Sequence, residues 1–262
     1  MSELHHNKSV NNSLFDYLLC IGDDLLILGH RLSEWCGRGP ILEEDIALTN
    51  IALDCIGGAS ALLQFAGQIE GKGRTEDDLA FFREAVEFKN LQMLELPNGD
   101  FAFTIARQFL FDTFGYFLFG ELSKSTNKEL ASIASKLYKE VVYHQRHSTE
   151  WVYRLGDGTH ESHSRLQSAF DELWMYTGEL FSVEECHLIL LEEKIIPDLT
   201  KVKPQWHERI SEILSNATIA IMPPEEDLYF SHGSRRGLHT EYLGHLLSEM
   251  QILARSFPGA KW

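Results

Sequence analysis

The residues best suited to chemistry stand in one stretch, 139–154, KEVVYHQRHSTEWVYR, which reads as a helix. Glu140, His144 and His147 are spaced by three and four, so their side chains are neighbours on a helix surface. Inward carboxylates and histidines on bundle helices are the material of a metal centre. Di-iron carboxylate bundles use a Glu on each of two helices and Glu-x-x-His on each of the other two. Here the spacing is one residue off: Val141, not a glutamate, stands three before His144, and Glu140 stands four before it. The other helices offer Asp24 or Glu34, then Asp54, then Asp112, and the helix of Asp54 has no histidine. The spacing therefore predicts a degenerate metal site of Asp54, Asp112, Glu140 and His144. It is expected to be neutralised by hydrogen bonds and by Arg31, Arg107 or Lys139, with no metal ligated and no catalytic residue. His144 and His147 also fit a single-metal HxxH pair, against which stands the plainer reading of a polar cluster at a helix end. No glycine-rich phosphate loop follows a strand pattern, and no serine lies in GxSxG.

The elements that must carry these residues are helical throughout. Ser13 can cap a helix over about 13–36, with the stripe Leu14, Leu18, Ile21, Leu25, Leu28, Leu32 and Trp35. A second helix is expected over 43–70, begun by three acids at the positive end of its dipole. Residues 71–99 are irregular, with Thr75 as a cap and Pro97-Asn98-Gly99 as a turn. The third helix, 101–122, is aromatic nearly all round. Phe111, Phe114, Phe117 and Leu118 lie off its Ile105–Phe119 stripe and are expected to face a partner. Further helices are expected over 127–155, 161–181, 206–216 and 238–257, with Pro197, Pro204, Pro223 and Pro224 punctuating the segment after 181. Residues 1–12 are expected as a flexible tail and 13–262 as a single all-α domain.

Bulk properties narrow the function. The formal charge of −16 argues against phosphate-neutralising nucleic-acid binding and against anionic membranes. Cys20, Cys36, Cys55 and Cys186 lack CxxC spacing and read as buried thiols of a reducing compartment. The first residues lack a signal-peptide core, and no uninterrupted apolar run of spanning length is evident, so a cytoplasmic protein is expected.

Five segments in order, LILGHRLSEWCGRGP, EEDIALTNIALD, PNGDFAFTIARQFLFD, KEVVYHQRHSTEWVYRLGDGT and GLHTEYLGHLLSEMQ, resemble the C-subunit family of phenylacetate-CoA oxygenases. The resemblance runs from about residue 18 to the end. It implies a ferritin-like four-helix bundle with additional C-terminal helices. It also implies a structural subunit of a complex that epoxidises the ring of phenylacetyl-CoA, beside a catalytic, PaaA-like subunit holding the di-iron site. NADPH, FAD and iron–sulfur chemistry would belong to a reductase subunit, and no cofactor to this chain. Contact with the CoA thioester at the subunit interface is expected at Glu87, Phe88, Lys89 and Asn90, and secondarily at Leu188, Ile189 and Leu190. The isolated chain is expected to self-associate, for example as a homodimer. The rival readings are an autonomous di-iron oxidase, a scaffold bundle unrelated to chemistry, and a helical CoA-thioester-binding module acting alone.

Overall fold

The computed structural model describes residues 2–220 and 230–260. Pro223 and Pro224, expected as helix breakers, lie outside the described residues. The fold is all-α and ferritin-like, and no strand occurs among the described residues. The chain divides into two compact units, one of Met1–Pro97, Glu184–Glu192 and Gly233–Trp262, the other of Asn98–Val183 and Glu193–His232. Each is built on one hairpin of long helices.

In the first unit the hairpin is α1 (Ser2–Ser33) and α2 (Leu42–Glu70). Gly22 faces Leu63, and Gly29 faces Ala52 and Ile56, so the two helices run antiparallel. The expected stripe is the buried one: Leu14, Leu18, Ile21, Leu25, Leu28 and Leu32 are all inside. The helix does not start at Ser13, however. It runs from Ser2, because nothing in 2–12 breaks a helix, and residues 5–9 are exposed. α2 ends at Gly71, whose left-handed φ of 70° lets its N–H reach the carbonyl of Gly67. α2 is also long and apolar enough to cross a membrane by composition, contrary to the reading of the sequence, but half of that window is buried inside the protein. Short helices α3 (Glu76–Phe81) and α4 (Gln92–Glu95) follow, the first closed by a capping box between Thr75 and Asp78. α8 (Leu188–Glu192) and α10 (Glu241–Ser256) complete the unit. Gln251 of α10 donates to the carbonyls of Ala80 and Arg83, both at 3.1 Å.

In the second unit α5 (Phe101–Leu122) pairs with α6 (Lys128–Gly156). Phe101 meets Trp151 and Gly115 meets Val141, again an antiparallel register. α7 (His160–Leu173) passes into a 3-10 helix, Trp174–Phe181, where one continuous helix to 181 was expected. α9 (Leu199–Asn216) begins before Pro204 rather than after it. The Asp198 cap and the buried row Val202, Trp206, Ile210 and Ile213 outweigh the one hydrogen bond that Pro204 cannot make. Phe111, Phe114 and Leu118 are buried in this unit, not turned outward, and Phe117 is half-buried. The aromatic excess of α5 is used internally: Phe114 packs edge-on to Phe181, and Phe109 to Phe170. The large apolar side chains left exposed are elsewhere, among them Leu42, Ile46 and Leu53 on α2.

Candidate functional site

Three acids of α1 organise the first unit. Asp23 accepts from Arg83, with one nitrogen at 2.9 Å, and from the backbone N–H of Lys89 at 2.9 Å. Asp24 takes both guanidinium arms of Arg235, at 2.9 and 2.8 Å, and the N–H of Leu91 at 2.8 Å. Two-pronged pairing of this kind is the strong form of a charge-assisted bond. Burial still wins at Asp24: it pushes the carboxyl up to about 6 against the pull of Arg235. Arg235 also donates to the carbonyls of Cys20 and Lys89. Nearby, buried Glu95 accepts from Asn90, His239 and both the N–H and hydroxyl of Thr240. The segment 83–95 is thus held down on α1 by ionic and backbone contacts, which is why it lacks long helices.

About two turns before this pair, Asp16 divides its two oxygens. Oδ1 accepts from the Lys89 ammonium at 2.8 Å, while Oδ2 lies 2.9 Å from His187 Nε2 and 3.7 Å from Cys186 Sγ. Burial alone would raise this carboxyl, but the bonds from His187 and Lys89 outweigh it and hold it low. Lys89 is in turn held above its usual range, burial being outweighed by Asp16. Above this floor opens a cleft of about 500 Å³ lined by Asp16, Lys89, Glu87, Arg74, Arg236 and Cys186 among others.

The structure places the expected substrate-contact residues unevenly. Glu87 and Lys89 line the cleft. Phe88 and Asn90 are wholly buried, Phe88 beneath the Arg83 guanidinium at 4.2 Å and Asn90 on Glu95, so neither presents itself to a ligand. Leu188 is exposed, Ile189 half-buried and Leu190 buried, and the cleft takes Glu184 and Cys186 from that region instead. Asp16, Asp23, Cys20, His187 and Arg235 were not foreseen. The one signal in the sequence was Asp16, Cys20 and Asp24 at four-residue steps, on one face of α1. Asp24 itself, offered by the sequence as a carboxylate of the first helix, is buried and paired with Arg235. Cys36 and Cys186 are exposed rather than buried.

The polar residues expected as a metal remnant lie in both units. Asp54 is half-buried on α2 of the first. Asp112 and His144 come together in the second, on α5 and α6, and both are buried. Asp112 accepts from Gln108 at 2.6 Å on one oxygen and from Ser148 at 2.9 Å on the other. Burial raises its carboxyl to about 6, opposed by His144, Ser148 and Gln108. Glu140, half-buried on α6, lies 3.7 Å from Lys136. Val141 fills the position three before His144, with a methyl 3.4 Å from where a Cβ on Gly115 would stand. On this hairpin a two-metal carboxylate centre calls for glutamates from both helices and a Glu-x-x-His. One aspartate already bonded on both oxygens, one imidazole and a valine in the ligand position do not fit that group.

These features define the class of protein: a ferritin-like helical chain with buried ion pairs in one hairpin unit and a buried, hydrogen-bonded aspartate in the other. The whole chain, residues 1–262, matches the sequence model of the family described as phenylacetic acid catabolic protein. It is 43% identical over 251 residues, 96% of this chain and 100% of the relative, to the C subunit of the 1,2-phenylacetyl-CoA epoxidase of Escherichia coli strain K12. The chain belongs to the phenylacetic acid catabolic protein family.

Proposed function

We propose that this chain is the accessory C subunit of a cytoplasmic multicomponent oxygenase that epoxidises the ring of phenylacetyl-CoA. It would support a separate catalytic subunit that holds the di-iron centre, with NADPH, FAD and iron–sulfur cofactors in a reductase subunit. The identity to the C subunit of an epoxidase supports the assignment to the complex. The observation that carries the non-catalytic reading is the bonding of Asp112: both oxygens are taken by Gln108 and Ser148, and Val141 stands where a ligand glutamate would be. Exposed apolar residues on α2 support docking to another subunit, or self-association when the chain is alone.

The experiment is turnover of phenylacetyl-CoA by the reconstituted complex carrying Asp112→Asn and His144→Gln in this chain. Turnover within about twofold of the parent is expected. A loss approaching the ~10²–10³-fold typical of removing a group that acts in the transition state would overturn the reading. A contact with the CoA thioester is the finer part of the proposal. Lys89, Arg74 and Arg236 around the cleft suit its phosphates, and Arg236, on the exposed rim 3.5 Å from Glu184, is the cation to test. Arg236→Ala is expected to raise KM for phenylacetyl-CoA with kcat unchanged, the mark of lost ground-state binding. An unchanged KM would remove the cleft from the substrate path.

A further inference from the structure

We propose that Asp16, Cys20, Cys186 and His187 form a binding site for one thiophilic divalent cation, of which zinc is the best fit, in the first unit and apart from the polar pair of α5 and α6. The ligand atoms of Asp16, Cys20 and His187 all lie within 4.8 Å of one another. Cys186 Sγ adds a fourth donor 3.7 Å from the same carboxylate oxygen that faces His187 Nε2. A tetrahedral zinc ion with its usual bond lengths spaces neighbouring ligand atoms roughly 3.3–3.8 Å apart, so small adjustments close the set of Asp16, Cys20 and His187, and Cys186, which stands outside that 4.8 Å group, joins it by turning its side chain inward. Two thiols, an imidazole and a carboxylate are the donors this ion selects.

The surroundings suit the ion as well as the ligands do. Asp16 and Cys20 are four apart on α1 and share a face, while Cys186 and His187 arrive together on the 3-10 turn Glu185–His187. Lys89 bonds Asp16 through Oδ1 and leaves Oδ2 for the cation, the outer-shell role that orients a ligating carboxylate. With both thiols ionised, the three anionic ligands exceed the charge of a divalent ion by one, and the Lys89 ammonium cancels the excess. The cleft lined by Asp16 and Cys186 gives the ion a way in. Without the ion burial pushes both thiols upward, Cys186 to about 11, so binding must release their protons.

The test uses the full chain, cleared of metal with a chelator, kept reduced and titrated with cobalt(II). One equivalent is expected to bind, with thiolate-to-cobalt charge-transfer absorption, tetrahedral d–d bands and release of about two protons. Zinc is expected to displace it. Cys186→Ser and Cys20→Ser are each expected to weaken or remove the charge-transfer band. Lys89→Met should keep the bands and lower affinity roughly 10–100-fold. Absence of a charge-transfer band in the parent, or an undiminished band in both cysteine variants, overturns the site. Should Cys20→Ser fail to fold, alkylation of the exposed Cys186 in the parent decides: zinc is expected to protect it, and unprotected alkylation contradicts the proposal. No partner subunit and no residue of α5 or α6 enters these measurements, so failure here leaves the accessory-subunit reading standing, and the reverse.

Discussion

Asp112 is a buried acid that accepts from two neutral side chains, Gln108 and Ser148. Its carboxyl is pushed up to about 6 by burial, above the ordinary aspartate value of 3.8. The folded state therefore holds the proton more tightly than the unfolded one. The associated stability is fully present below about pH 4 and is lost as pH rises through about 6. Asp112→Asn removes that loss, and its amide can donate to Gln108 Oε1, which has no hydrogen-bond partner. The variant is expected to be more stable than the parent by about 1–3 kcal/mol at pH 8, with the gain shrinking toward pH 4, read by denaturant titration at both values. His239 works in the opposite direction. Its Nδ1 faces the Glu95 carboxylate and its Nε2 the Phe88 carbonyl, two acceptors, so the ring donates from both nitrogens and is charged. Its pKa is raised, burial being outweighed by Glu95 and Phe88. Its stabilisation is full below about pH 6.5 and lost as pH rises through the higher folded value. His239→Gln should flatten the fall in stability as pH rises above about 6.5, and an unchanged slope would contradict the charged ring. At the Asp24–Arg235 pair, Arg235→Met leaves a buried acid without its cation and should cost roughly 3–5 kcal/mol, while adding Asp24→Leu should recover much of it.

At the scale of elements, the α1–α2 hairpin depends on close approach. A Cβ on Gly29 would stand 2.8 Å from Ile56 and 3.1 Å from the Ala52 carbonyl. Gly29→Ala gains helix propensity of about 1 kcal/mol but forces the hairpin apart at a cost of about 1–3 kcal/mol. A net loss, partly relieved by Ile56→Ala, is expected in thermal unfolding. The long helices were legible in the sequence because their stripes repeat at the helical period over many turns, as in Leu14 to Leu32. Where an element depended on distant contacts the sequence misled: the end of α7 becomes a 3-10 helix whose Trp174 and Phe181 pack on Trp206, and α9 runs through Pro204. The weakness of the α6 metal pattern was legible, since it is a matter of local spacing at Val141 and His144. The first-unit site was not, because Arg235 reaches Asp24 across 211 positions and His187 reaches Asp16 across 171. Lys89 was singled out, but its neighbours Phe88 and Asn90 turn inward, which only the packing of segment 83–95 decides.

At the scale of the whole molecule, the proposed role makes this chain a member of a complex in which its polar interior serves its own stability while the oxygen chemistry sits in a partner. The measurement that tests this most directly is co-expression with the catalytic subunit, followed by size-exclusion chromatography and iron analysis of each separated chain. The two are expected to elute together, with iron following only the partner. Any zinc in this chain should be lost in the Cys20→Ser variant without disturbing the complex. If this chain elutes alone and carries about two irons, the centre expected of a di-iron bundle, and loses them in Asp112→Asn or His144→Gln, the claim is contradicted and α5 and α6 hold an active centre.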